Sequence, residues 1–120
     1  MCIRDRIETC FRNVRPGDHS LGQVGRGIMR CVAEVLKHQV AALSPPASAV
    51  IRSAGGAARS DEWLQIKADT LGTTFEAVDC AEPTSMGAAM LAARAVTGRS
   101  LPELARDWVR VRATFMPRRG

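Results

Sequence analysis

A strand, a glycine turn and a helix start follow one another within about fifteen residues near the middle of this chain, and no other stretch limits its fold as tightly. The apolar run Ala49-Val50-Ile51 leads into Gly55-Gly56, and Ser60-Asp61-Glu62 then heads an amphipathic segment. Glycine at such a turn accepts a positive φ and leaves no Cβ in the path of a ligand. The open N–H groups and positive dipole end of the following helix favour an anion such as a phosphate. Taken alone the pattern is weak, because most glycine pairs between a strand and a helix only turn the chain.

The flanking sequence extends the same alternation. Pro16-Gly17-Asp18-His19-Ser20 reads as a turn ending in an N-cap, with His19 a helix-entry residue. Apolar residues then fall at Leu21, Val24, Ile28, Cys31, Val32, Val35, Leu36, Val40 and Leu43, the spacing of one buried helical face. Ser44-Pro45-Pro46 stops that helix. The near-continuous apolar run predicts a strand over 49–53 covered on both faces. Leu64, Ile66, Ala68 and Leu71 predict a helix that closes at Gly72, with Trp63 filling a gap against the sheet and Lys67 on the solvent side. Residues 73–78 have the β-branched and aromatic content of a strand. Pro83-Thr84-Ser85 opens a further helix, expected to be capped by Thr84 or Ser85. Its small residues Gly87, Ala88, Ala89, Ala92 and Ala93 predict a face buried against a sheet in the intact domain. A short helix over 101–108 has Pro102 in its first turn. The alternation from Val109 to Phe115 is that of a half-exposed strand or a terminal arm. Helix, strand, helix, strand, helix predicts an α/β fold. Residues 1–15 join no periodic pattern beyond a possible short strand over 7–14, and are left unassigned beside a domain over 16–120.

Five blocks in this order resemble the C-terminal domain of the FGGY carbohydrate kinases: Gly55-Gly56-Ala57-Ala58-Arg59-Ser60, then Trp63 to Asp69, Leu71-Gly72, Glu82, and Gly87-Ala88-Ala89 with Leu91-Ala92-Ala93. The resemblance implies part of the ribonuclease H-like domain shared by sugar kinases and actin, with the nucleotide in a cleft between that domain and an N-terminal one. It places Gly55 and Gly56 against ATP and Ser60 near the adenine. Ser60 is similar to the xylulokinase-like branch and is equally a good N-cap, and Ala57 stands where many relatives have a third glycine. Gln65 and Asp69 recur in the family pattern, Asp69 as readily a capping or solvated carboxylate as a ligand contact. The implied reaction is ATP-dependent phosphorylation of a sugar or polyol hydroxyl, with a pentulose such as xylulose the expected substrate class and Mg²⁺ held outside this chain.

Charge and cysteine content narrow the alternatives. The net charge is +5 and the pI near 9.7, which invites a nucleic-acid reading. All but two of the 17 basic residues are arginines, the exceptions being Lys37 and Lys67. They are scattered, and no aromatic ladder interleaves with them, which argues against nucleic acid as a partner. Cys2, Cys10, Cys31 and Cys80 form no CxxC pair, and His19 and His38 sit at no zinc-ligand spacing from them, so no metal site is expected. Cys31 is expected as a small buried hydrophobe. No run approaches 18 apolar residues, so no membrane span is expected, and a cytoplasmic setting follows.

Phosphoryl transfer needs a carboxylate to orient the attacking hydroxyl and a site for Mg²⁺ and the phosphates. Asp18 and Asp61 are the carboxylates nearest the predicted turns and nothing pairs them, so no catalytic residue is named. The leading expectation is a carbohydrate kinase fragment contributing part of the nucleotide-binding wall. The alternatives are a non-catalytic nucleotide-binding or protein-interaction module, and a basic nucleic-acid-binding protein.

Overall fold

The computed structural model describes residues 19–118, so the strand expected over 7–14 lies outside the described residues. The first element is α1 (Leu21–Ala42), opened by a capping box in which Ser20 Oγ accepts from the Gln23 N–H while Gln23 Oε1 accepts from the Ser20 N–H. After the proline stop come β1 (Val50–Ser53), a 3₁₀ turn (Gly56–Arg59), α2 (Asp61–Leu71) and β2 (Thr74–Val78). Helix α3 (Pro83–Thr97), helix α4 (Leu101–Trp108) and strand β3 (Val111–Phe115) complete the chain. The α/β expectation holds.

Strands β1 and β2 pair in parallel, Ile51 opposite Phe75 and Ser53 opposite Ala77, with α2 as the crossover between them. A parallel pair needs such a crossover, because no tight turn can reverse the chain twice. Strand β3 pairs antiparallel with β2, giving the order β1-β2-β3. A bulge interrupts that pairing: Ala77 faces Ala113 and Val78 faces Val111, which leaves Arg112 without a partner residue in the ladder.

The core lies between α2 and one face of the sheet. Leu64, Ala68, Phe75 and Ala77 are its buried members, and Leu36, Ile51, Leu71, Ala113 and Phe115 close around them. Helix α2 ends at Gly72, whose φ of 65° is the left-handed conformation expected of a C-terminal glycine. Helix α1 packs on α2, and its Ala33 is fully buried. Its apolar stripe is only partly covered: Val24, Cys31, Val35, Leu36 and Val40 are half-buried, while Leu21, Ile28, Val32 and Leu43 remain exposed.

Two local expectations are corrected. Strand β1 is an edge strand with Val50 and Arg52 exposed, so it is not covered on both faces; Arg52 pairs with Glu76 across the open side at 2.9 Å. Glu82, not Thr84 or Ser85, occupies the N-cap position of α3, because Pro83 is already the first helical residue. Within this chain the small-residue face of α3, expected to be covered in the intact domain, is largely open: Gly87, Ala88, Ala89 and Ala92 are exposed, Ala93 is half-buried, and the helix has α4 as its principal neighbour. Helix α4 carries a capping box between Ser100 and Glu103 and buries Leu104.

Candidate functional site

The chain leaves β1 at Ser53 and turns sharply at Gly55, whose φ of 81° and ψ of −166° belong to a region that residues with a Cβ essentially do not enter. The Gly55 N–H donates to the carbonyl of Cys80, just past the end of β2, at 3.3 Å, and its carbonyl accepts from the Ala58 N–H at 3.1 Å. The first bond ties the turn, which follows directly on β1, to the carboxyl end of β2, and the second closes the turn on itself. Gly56 opens the 3₁₀ turn, and a Cβ placed there would meet nothing within 4 Å. The N–H groups of Gly56 and Ala57, at the start of that turn, find no backbone partner among the described residues.

Ser60 caps α2: its hydroxyl accepts from the Trp63 N–H at 3.2 Å. Asp61 and Glu62 follow in the first turn of that helix. A capped, acidic helix start is a poor anion site, because its open amides are reduced in number and two carboxylates already answer its dipole. The start of α3 lies beside the same turn, since a Cβ on Gly55 would stand 3.7 Å from Pro83 Cγ. No carboxylate occupies the first turn of α3, although Glu82 stands at its N-cap.

Arg112 braces the far side of the turn. Freed from the ladder by the bulge, its guanidinium donates to the Ala58 carbonyl at 3.1 Å and to Asp61 Oδ1 at 2.7 Å. Asp61 is thus engaged in an ion pair rather than open to a ligand.

Lys67 overturns the expectation of a solvent-facing side chain. It is 6% exposed and lies on the sheet side of α2. Its ammonium donates to Ser53 Oγ at 3.3 Å and sits 5.1 Å from the ring centroids of both Trp63 and Phe75. Burial pulls its pKa below the usual lysine value. Trp63 is half-buried and supplies an aromatic face to this cation.

Gln65 and Asp69 act together on the C-terminal arm. Gln65 Nε2 donates to Asp69 Oδ1 and to the Met116 carbonyl, at 2.8 and 2.9 Å. Asp69 accepts from the Arg118 backbone N–H and from two nitrogens of its guanidinium, and these bonds to Arg118 hold its pKa down at about 2. That accounts for both residues without a ligand. A cleft of about 430 Å³ opens between α1, α2 and this arm, with Arg26, Arg30, Glu62 and Arg118 among its walls. Gly55, Gly56 and Ser60 are not part of that lining. No three His, Cys, Asp or Glu side chains among the described residues converge as metal ligands.

An open glycine turn at the carboxyl ends of parallel strands, followed by a helix, is the arrangement in which α/β proteins receive ligands. Residues 4–96 match the C-terminal domain of the FGGY family of carbohydrate kinases, and the chain belongs to that family. It is 32% identical over 105 residues to the xylulose kinase of Bacillus subtilis (strain 168), covering 85% of this chain and 21% of that protein. The crystal structure of xylulose kinase from Rhodospirillum rubrum shares the fold with a TM-score of 0.70 at 23% identity, over 88% of this chain and 22% of that one. The chain therefore spans about a fifth of the length of these relatives.

Proposed function

We propose that this chain supplies part of the nucleotide-binding wall of an ATP-dependent carbohydrate kinase, with Gly55 and Gly56 against the nucleotide and Ser60 towards its adenine. The observation that carries the reading is the open face at Gly56, where a Cβ would meet nothing within 4 Å, beside Gly56 and Ala57 N–H groups that have no backbone partner among the described residues. The Gly55 conformation and the Arg112 brace pre-shape that face, so little ordering is left for binding to supply. Ser60 can serve both as cap and as contact, since its hydroxyl accepts from Trp63 and keeps its own proton to donate.

ATP fits the residues present: backbone donors for phosphate oxygens, with Arg59 exposed at the end of the same turn. A Mg²⁺ site does not fit the described residues, which bring no carboxylate cluster to the turn, and no step is derived through the ion. The sugar, a pentulose such as xylulose given the named relatives, would be held by the portion of the enzyme that this chain does not span. Residues 16–120 form the unit assigned to this role, in a cytoplasmic setting.

The test is hydrogen exchange at residues 55–60 with and without ADP. Protection of these amides is expected in the wild type and its loss in Gly56→Val, which places a branched side chain in the open approach. Equal protection in both proteins would put the nucleotide elsewhere. Phosphoryl transfer depends on groups held in register across a closed cleft, so the chain alone is expected to release no ADP in a coupled assay with xylulose, ribulose or glycerol. Sugar-dependent turnover that vanishes on changing Gly55 and Gly56 together would refute that expectation.

A second reading has the exposed small-residue face of α3 to favour it: a protein-interaction module without chemistry of its own. Residues 55–60 that gain no protection from ADP, in a chain that is stably folded, would select it.

A further inference from the structure

Lys67 is the buried group that the nucleotide reading leaves unused. It is the one charged side chain buried among the described residues. An ammonium has three N–H donors, and the structure gives this one a single acceptor, Ser53 Oγ, with two aromatic faces around it. None of the ion pairs among the described residues includes it. A buried charge without a counter-ion is disfavoured, and an apolar residue of similar length would suit the packing better. The position of the charge offers a reason for it. Side chains on a helix lean towards its N-terminus, so the lysine stem runs from the middle of α2 to the carboxyl end of β1. Ser53, its acceptor, is the last residue of that strand and precedes Gly55 by at most about 7 Å of extended chain.

We propose that Lys67 is a positioning residue for the phosphates of a bound nucleotide, its ammonium held by Trp63, Phe75 and Ser53 behind the glycine turn as a counter-charge that the ligand completes. This rests on the nucleotide reading above. The ammonium does not touch the ligand. It acts through its field, which the apolar packing around it screens far less than water would, and through Ser53, which fixes where the chain enters the turn. The partner it selects is a polyphosphate ester rather than a neutral nucleoside.

The discriminating experiment compares ADP with adenosine by titration calorimetry in the wild type, Lys67→Met and Lys67→Arg. Methionine keeps the apolar stem and removes the charge. Its ADP affinity should fall about tenfold, within the usual range for coupling between sites, while adenosine affinity stays as it was. Lys67→Arg should restore most of the preference for ADP. An unchanged ADP preference in folded Lys67→Met overturns the proposal, and so does an equal loss for both ligands, which would report packing only. Should Lys67→Met fail to fold, the wild type decides through the ¹³Cε resonance of Lys67, one of two lysines in the chain. ADP should move that resonance and adenosine should not; movement with neither, while the turn binds ADP, overturns the role of Lys67 alone. A wild type that binds neither ligand at the turn removes the nucleotide reading and the proposal with it.

Discussion

Gly55→Ala isolates the conformation on which the turn depends. A Cβ at this position would lie 3.7 Å from Pro83 Cγ, an ordinary contact, so crowding adds almost nothing. What remains is the backbone: φ 81° and ψ −166° exclude a side chain, and forcing one there costs about 1–3 kcal/mol. For a chain of this size that corresponds to a fall in Tm of roughly 4–15 °C. The neighbour provides the control. Gly56 has open space at its Cβ and no positive φ, so Gly56→Ala should leave the melt within about 0.5 kcal/mol of wild type or raise it slightly. Thermal melts followed by far-ultraviolet circular dichroism, with urea midpoints as a cross-check, separate the two variants. Equal Tm values for Gly55→Ala and Gly56→Ala would mean that Gly55 does not hold the left-handed geometry, and the description of the turn would fall with it.

Two further outcomes follow from the same coordinates. Asp69 has its pKa depressed to about 2 by Arg118, so the arm it holds gains stability above the ordinary aspartate pKa of about 3.9 and loses it as pH falls towards 2; both partners are partly exposed, so the effect is small and local. The Arg118 amide resonance should move through that window, and an amide indifferent to pH across it would show the clamp is not formed in solution. Ala89→Leu should leave the melting midpoint of this chain within about 0.5 kcal/mol of wild type, because Ala89 is exposed on α3; a loss of 1–3 kcal/mol, the usual cost of overpacking, would show that this face is covered in solution.

Most of the secondary structure was legible because its signals are local. Ser20, Pro45-Pro46, Gly72 and Pro102 each mark a boundary through their own backbone chemistry, and the observed ends fall within three residues of them. Gly55 and Gly56 were legible for the same reason. Lys67 was not, because a polar residue on an amphipathic helix reads as solvent-facing, and its surroundings come from β1 and β2 as well as α2. Trp63 four residues earlier, on the same helical face, was the available signal. Arg112 was hidden by the bulge: strict alternation along β3 assigns it a side, and one extra residue lets it reach the 3₁₀ turn instead. The role of Asp69 was half legible, as a capping carboxylate whose partner lies 49 residues further on.

The Arg112 brace has a consequence in time. Its guanidinium holds the Ala58 carbonyl from 54 residues downstream. At the usual synthesis rates of about 5–20 residues per second, Arg112 is added roughly 3–11 s after Ala58. The contacts of Lys67 with Ser53 and Trp63 span only 14 residues of chain or fewer and can form early in that interval. The nascent turn is therefore anchored on one side while the other waits for the third strand.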